Sequence, residues 1–571
     1  MKTLDAIAVS KGVAIGNAFH YTPFTPEIME ETLCPDRTEA AVLHYQQAHE
    51  RAAAELKALA AKLEAEDPAK AAIFEAHLDV LFDDMMGDEI KEKIAEDRMA
   101  ADWAIKTVYE KYEAIIGASK NEMIRERAAD IKDVKTRLLR CNAGKPEENL
   151  SNMEKPAIII AHDLSPSDTA TLDRAKVLAI VTEIGGYTSH SAIIARSYQI
   201  PAILGAENAM TQIKPGEPLI VDAQTGKLIL EADEETVKAY EKKREDWLLW
   251  QKEVARFVDA EPQTRDGTVI EVSLNVSGAS DAELEGGAYA DGVGLFRTEF
   301  LYLGRRDLPD EEEQFTQYKK ILLAFGQKPV IIRTIDLGGD KMPESVALPA
   351  EDNPFLGNRG IRLCLTNENW FCTQIRALLR ASLHGNLWIM LPMIASLDEI
   401  RRAKAMIQAV QEEFDSQGVD YSKDVKIGIM IEVPAIAMLA DLAAEEVDFA
   451  SIGTNDLFQY TLAVDRMNPL VSSFYQPYHP GVLRLMGQVA EAFEQAGKPL
   501  SVCGEMGGDV YGAALLMGLG IRKLSMGFPQ VAEIKKLMSE VTIEELGSLA
   551  KEACASATSE EVEHLLKKAL S

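Results

Sequence analysis

The segment GGYTSHSAIIARSYQIPAILG, residues 185–205, puts His190 at the end of a glycine-rich turn, just before an Ala/Ile run able to start a helix. Backbone N–H groups at such a start, with Thr188 and Ser189, can hold an anion, and a neutral imidazole nitrogen is a competent nucleophile toward phosphorus. Taken alone, a histidine in a Gly/Ser/Thr turn is more often a surface or capping residue. Other residues supply complementary chemistry. Arg297 in GLFRTEF, Arg333 in IIRTIDLGGDK, Arg359 in NPFLGNRGIR and Arg466 in LAVDRMNP offer guanidinium forks that suit phosphate and carboxylate together; each alone reads more readily as a structural or surface-paired arginine, and it is the set of four that points to a site. Glu432 and Asp456 fit a pair of oxygen ligands for Mg2+, with strand-end carboxylates paired to arginines as the alternative. Cys503 in SVCGEMGGD could protonate an enolate carbon, whereas a buried structural thiol is the plainer reading of a lone cysteine.

These residues need elements to hold them. Beyond Pro262, short apolar runs alternate with amphipathic stretches: VIEVSLN (269–275), GVGLF (292–296), VIIRTI (330–335), LWIMLPM (387–393), IGIMIEV (427–433), FASIGTN (449–455), PLSVCGE (499–505) and KLSMG (523–527). About eight strands separated by helices predict a (β/α)8 barrel, whose chemistry sits at the carboxyl ends of its strands. Arg297, Arg333, Glu432, Asn455, Asp456 and Cys503 all fall at or near such ends, which favours a site over chance and leaves an internal salt-bridge layer as the alternative. Upstream, residues 1–21 alternate as strands do, and strand-type sequence resumes at 156–160, 177–183, 202–205 and 218–230. The Ala-, Glu- and Lys-rich stretch from Thr38 to about Cys141 has helical spacing and reads as a bundle inserted into that α/β part. Residues 231–260 are charged and helix-prone, fitting a connecting helix or a solvated surface helix.

A chain of 571 residues exceeds what one core usually supports, so several domains are expected. A formal net charge of -31 argues against a nucleic-acid surface; it fits solubility and, equally, selection of a positively charged protein partner. The six cysteines are scattered, with no CxxC pair, as in a reducing cytosol. The start MKTLDAIAVSKGVAIG lacks a secretion leader and no stretch approaches the length of a membrane span, so a cytoplasmic chain with no membrane insertion is expected.

Over essentially its whole length the chain resembles Enzyme I of the bacterial phosphoenolpyruvate:sugar phosphotransferase system. The likeness is carried by GGYTSHSAIIAR with PAILG, DGVGLFRTEFLYL, DNPFLGNRGIR, DFASIGTNDLFQYTLAVDR and SVCGEMGGD, in that order. The resemblance implies that His190 takes a phosphoryl group from phosphoenolpyruvate through its Nε2 atom, with Thr169 in LSPSDTATL bonding the ring. Arg297, Arg333, Asn455 and Arg466 would contact phosphoenolpyruvate, supported by Arg359. Glu432 and Asp456 would hold Mg2+, and Cys503 would protonate the enolate to give pyruvate. The group would pass to the histidine of the phosphocarrier protein HPr, the first step of sugar uptake.

The implied architecture is a phosphohistidine α/β domain (1–21 and 147–230), an inserted helical HPr-binding subdomain (22–146), a helical linker (231–260) and a phosphoenolpyruvate-binding TIM barrel (261–571) that forms a homodimer. Acidic Glu66, Asp67, Asp83 and Asp84 near His77 are the expected carrier-docking face, with a solvated helix face as the alternative. One departure stands out: members of this family commonly carry arginine where this chain has Tyr187, which leaves the reaction class intact and changes the local charge. Phosphoenolpyruvate synthase and pyruvate phosphate dikinase share these motifs but need a nucleotide-binding domain, for which the sequence shows neither room nor a P-loop. A nitrogen-regulatory Enzyme I would carry an added amino-terminal sensor domain, also not expected here.

Overall fold

A computed structural model describes residues 2–570 apart from 23, 25–27, 29, 65–67, 118–121, 146–149, 151–152, 154, 165–167, 170–171, 186–189, 279–283, 285, 303–304, 306, 339–345, 347–348, 350 and 467. The chain forms two compact units, Met1–Trp250 and Gln251–Ser571.

In the first unit, eight strands make one sheet: β1 (Lys2–Asp5), β2 (Ile7–Ser10), β3 (Val13–Tyr21), β4 (Ala157–Ala161), β5 (Val177–Thr182), β6 (Ala202–Leu204), β7 (Pro218–Asp222) and β8 (Lys227–Leu230), in the order β1-β8-β7-β3-β4-β5-β6-β2. Strands β3 to β6 pair in parallel, and β3 with β7 and β7 with β8 antiparallel. Parallel pairing of β3 with β4 demands a crossover connection. Here the crossover carries the helices Thr38–Glu64, Pro68–Leu81, Asp84–Ala95, Ala101–Gly117 and Glu122–Asn142, which enclose their own core around Tyr45, Leu56, Phe74, Ile90, Ile105 and Leu138. That separate core explains why a helical block can interrupt a sheet: it buries its apolar faces against itself.

The helix Glu234–Ala255 follows β8 and runs across the boundary between the units, which lies earlier in the chain than the expected barrel start at 261. Its first half is held by the sheet. Lys243 Nζ meets the buried carboxylate of Asp222 at 2.6 Å, which acts against burial to keep that carboxyl below its ordinary value.

The second unit is a closed barrel of parallel strands: β9 (Glu271–Val276), β10 (Val293–Phe296), β11 (Pro329–Arg333), β12 (Asn386–Leu391), β13 (Lys426–Ile431), β14 (Phe449–Ile452), β15 (Leu500–Val502) and β16 (Lys523–Met526), with β16 pairing back to β9. Each overlaps one of the eight apolar runs read from the sequence. Leu295, Ile331, Met390, Met430 and Phe449 form an apolar cluster that Cys503 joins. The packed interior leaves polar chemistry to the strand ends.

Candidate active site

Several barrel strands stop at residues able to do chemistry. Arg333 is the last residue of β11, Glu432 follows β13 directly and Cys503 follows β15 directly. Arg297 follows β10; it is exposed, while its backbone N–H donates to the Val276 carbonyl at 3.0 Å. Asn455 and Asp456 differ from the sequence expectation. The run FASIGTN is not strand throughout: β14 ends at Ile452 and a helix, Thr454–Leu462, begins after Gly453. Both residues therefore sit in the first turn of a helix, just beyond the end of β14. Gly453 packs closely there: a Cβ would lie 2.9 Å from Glu432 Oε2 and 3.0 Å from Met430 Sδ, so those side-chain ends would have to shift.

The charges form one buried network. Arg333 Nη2 pairs with Glu299 at 2.8 Å and its Nη1 with Asp336, also at 2.8 Å. Arg359 donates to both oxygens of Asp336 at 3.0 and 3.1 Å, to both oxygens of Asp456 at 3.2 and 3.3 Å, and to the Tyr460 hydroxyl at 3.1 Å. Arg466 Nη2 lies 3.7 Å from Asp456. Asn455 Oδ1 accepts from the Glu505 N–H at 3.1 Å. Burial pushes the Asp336 carboxyl up, but Arg333 and Arg359 overcome this and hold it below its ordinary value. Burial likewise opposes the charge of Arg359, and Asp336 and Asp456 outweigh it, raising its pKa.

Glu432 is the exception in this network. It is fully buried, and burial, aided by the charges of Asp336 and Asp456, pushes its carboxyl up to about 8 against the opposing pull of Arg333 and Arg359. One oxygen accepts from the Met393 N–H at 2.6 Å, while Oε2 is buried with no hydrogen-bond partner. Met393 presents that N–H from a left-handed backbone, φ 57°, a conformation that costs a non-glycine residue about 1–3 kcal/mol and concentrates at functional sites. Arg333 Nε and Arg466 Nη1 are also buried without partners. Unmet donors and an unmet acceptor around one strand-end mouth define a place for an anion with a cation beside it.

Among the described residues no group of three or more His, Cys, Asp or Glu side chains is placed to hold a metal by itself. The orphaned Glu432 Oε2 and the neighbouring Asp456 nonetheless fit a hard cation that takes its remaining oxygens from substrate and water. Cys503 is buried, which pushes its thiol up to about 11, so it holds its proton at neutral pH.

In the other unit, His190 is the first residue of the helix His190–Ser197, which follows the segment leaving β5. Its side chain, and Gly186, Tyr187, Thr188 and Ser189, lie outside the described residues. Thr169 is buried, and Ser191, next to His190 in the chain, donates to the Leu164 carbonyl at 3.4 Å.

In the helical block, Glu66 and Asp67 lie outside the described residues, while Asp83 and Asp84 are exposed. Asp83 is also the N-cap of the helix Asp84–Ala95, accepting from the Met86 N–H at 2.9 Å. The structure corrects the placing of His77 on that face: the side chain is buried, its Nε2 is 3.3 Å from Asp130, and it packs edge-on against Phe74. Helical periodicity turns it inward with Phe74. Asp336, Glu299 and Tyr460 were missed from sequence; the signal for Asp336 was its place three residues beyond a strand-end arginine in IIRTID.

Comparison with known proteins gives three matches in chain order. The model described as "PEP-utilising enzyme, N-terminal" matches residues 5–127, the "mobile domain" model residues 153–226 and the "PEP-binding domain" model residues 251–543. Curated relatives named phosphoenolpyruvate-protein phosphotransferase include one from Priestia megaterium, 45% identical over 95% of this chain and 94% of its own. Another, from Staphylococcus aureus, is 43% identical over 99% of both chains, and one from Geobacillus stearothermophilus is 42% identical over all of this chain and 98% of its own. With half of the chain matched by one model and full-length relatives above 40% identity, the chain belongs to the phosphoenolpyruvate-protein phosphotransferase family of PEP-utilising enzymes.

Proposed function

We propose that the mouth of the barrel binds phosphoenolpyruvate and delivers its phosphoryl group to His190, which passes it to the histidine of HPr. The reaction class, phosphoenolpyruvate-dependent phosphoryl transfer by an enzyme, follows from family membership. The residue roles rest on the buried charge network, and above all on the unmatched polar atoms of Arg333, Glu432 and Arg466.

Arg333 and Arg466, with Arg297 and Asn455, bind the substrate's phosphate and carboxylate, while Arg359 holds Asp336 and Asp456 in place. Glu432 and Asp456 would hold Mg2+, which when bound neutralises charge on the phosphate oxygens. His190 Nε2 attacks phosphorus in line. The N–P bond forms, the P–O bond to the enol oxygen breaks, and its electron pair leaves with the enolate. The Cys503 thiol then gives its proton to the enolate carbon, yielding pyruvate, and the thiolate recovers a proton from solvent.

His190 and the barrel mouth belong to different units, with the helix Glu234–Ala255 as the connecting element, so the reaction joins residues of both. Thr169 would orient the His190 ring. Exposed Asp83 and Asp84, flanked by exposed Phe82 and Met85, supply an acidic and apolar face for a basic carrier. The barrel unit also exposes Met438, Leu442, Leu470 and Phe474, apolar surface that a second copy would cover in a homodimer. A cytoplasmic location fits both partners, and among the described residues no helix is long and apolar enough to cross a membrane. Incubation with phosphoenolpyruvate and Mg2+ tests the reading: it yields acid-labile phosphoprotein and pyruvate together, and the appearance of neither refutes it.

A further inference from the structure

A chain of buried polar side chains links two covering helices of the barrel, Glu311–Phe325 and Glu368–Ala381, to the end of β11. Gln314 Oε1 accepts from the Tyr318 hydroxyl at 3.0 Å and from the Tyr302 hydroxyl at 3.2 Å. Gln374 Nε2 donates to the Tyr318 hydroxyl at 3.1 Å and to Thr298 Oγ1 at 3.4 Å. Thr298 Oγ1 donates in turn to the Arg333 carbonyl at 3.0 Å. On its other side, Gln374 Oε1 accepts from the Ile335 N–H at 3.0 Å. A backbone N–H only donates, which fixes the end of the amide that is oxygen and leaves both hydrogens of Nε2 for the two hydroxyls.

Gln374 shares its helix face with buried Phe371, Ile375 and Leu378, where an apolar side chain would serve packing alone. An amide there costs free energy unless every polar atom is bonded. What sets Gln374 apart is what it ties down. Thr298 immediately precedes Glu299 and Ile335 immediately precedes Asp336, and these two carboxylates are the ones that pair with Arg333 Nη2 and Nη1. The remaining tie runs through Thr298 to the carbonyl of Arg333 itself. One amide therefore fixes the backbone beside each member of the Glu299, Arg333 and Asp336 cluster, whose unmatched donor is Arg333 Nε.

We propose that Gln374 is a positioning residue for phosphoenolpyruvate: it touches no substrate, but holds the two carboxylates that grip Arg333 and so sets the angle at which the guanidinium meets the substrate's anionic groups. A planar guanidinium fork rewards only a narrow range of approach, and a misplacement of about 1 Å can cost about 10²-fold in rate. Loss of the amide would leave the Ile335 N–H and the Thr298 and Tyr318 hydroxyls to find new partners, and the segments carrying Glu299 and Asp336 would shift with them. Arg333 would keep its charge and lose its aim.

The inference rests on Arg333 contacting phosphoenolpyruvate, and one set of variants separates the two. With no carrier present each chain turns over once, so the rate of the pyruvate burst against phosphoenolpyruvate concentration, in Mg2+, gives a second-order rate constant. It is measured with the thermal midpoint for wild type, Arg333→Lys, Gln374→Met, the double variant and Tyr318→Phe. An undiminished constant in Arg333→Lys overturns the reading of Arg333 itself. Gln374→Met keeps the side-chain length without its hydrogen bonds. It should lower the constant about tenfold alone and less than about twofold on top of Arg333→Lys, because both changes act through one guanidinium. Tyr318→Phe breaks the same network on the side away from Arg333, and should lower the midpoint while costing less than about threefold in rate. Should the methionine variant not fold, Gln374→Glu, which keeps the acceptor for the Ile335 N–H, takes its place in the cycle with the same expected failure to add. A wild-type constant in the Gln374 variant, a loss that adds in full to that of Arg333→Lys, or an equal loss in Tyr318→Phe overturns the role of Gln374 while Arg333 remains a substrate contact.

Discussion

Arg359 grips Asp336 with a two-point fork, Nε to Oδ1 at 3.0 Å and Nη2 to Oδ2 at 3.1 Å, and both side chains are buried. The same carboxylate pairs with Arg333, so one acidic residue holds two of the arginines at the barrel mouth. Removing a single partner from such a network leaves buried charge uncompensated. Asp336→Asn keeps the shape and loses the charge. It should destabilise the barrel by about 3 kcal/mol, seen as a lower urea midpoint for the barrel transition; an unchanged midpoint would show that Arg333 and Arg359 find other partners.

Glu432 gives the metal-free protein a particular pH dependence. Its folded-state carboxyl is raised from the ordinary 4.5 to about 8, so across that range the folded state holds a proton that the unfolded state has lost. The contribution to stability is therefore full below about 4.5 and is lost as pH rises through about 8. Glu432→Gln should flatten this part of the profile. Because a cation on Oε2 displaces the proton, Mg2+ binding near neutral pH should release a proton, measurable by calorimetry in two buffers of different protonation enthalpy. Binding without proton release would separate the metal from Glu432.

Cys503 keeps its proton at neutral pH, as a general acid must. Replacing it with serine should cut pyruvate formation about 10²-fold, within the usual contribution of a positioned acid, while phosphoenolpyruvate still binds. A coupled assay for pyruvate checks this, and an undiminished rate would remove Cys503 from the chemistry.

At the carrier face, Asp83 has a second duty as an N-cap, so reversing its charge would also loosen the helix Asp84–Ala95. Asp84→Lys and Asp83→Asn separate the two effects, since asparagine caps as well as aspartate. Each should slow transfer to HPr without slowing self-phosphorylation, and the loss should shrink at high salt. Equal loss in both half-reactions would place the defect elsewhere.

The barrel was legible because a buried parallel strand is a short apolar run, and all eight runs became strands. What such runs conceal is where a strand gives way to the next element. Thr454, Asn455 and Asp456 looked like the end of β14, yet Gly453 starts a helix there and sets Asp456 against Arg359. Pairing between distant charges was also illegible: Asp336 lies only three residues beyond Arg333, but nothing local to Glu299 says that it shares that arginine. His77 was misread because an acidic neighbourhood in sequence does not reveal which way a helix turns its histidine, here toward Phe74 and Asp130.

The central claim is that His190 carries the phosphoryl group, and mapping that group by mass after reaction with phosphoenolpyruvate and Mg2+ tests it most directly. The account predicts one phosphate per chain, on the peptide containing His190, absent from His190→Ala and discharged by HPr. Phosphate on another residue, or undiminished labelling of His190→Ala, would contradict it.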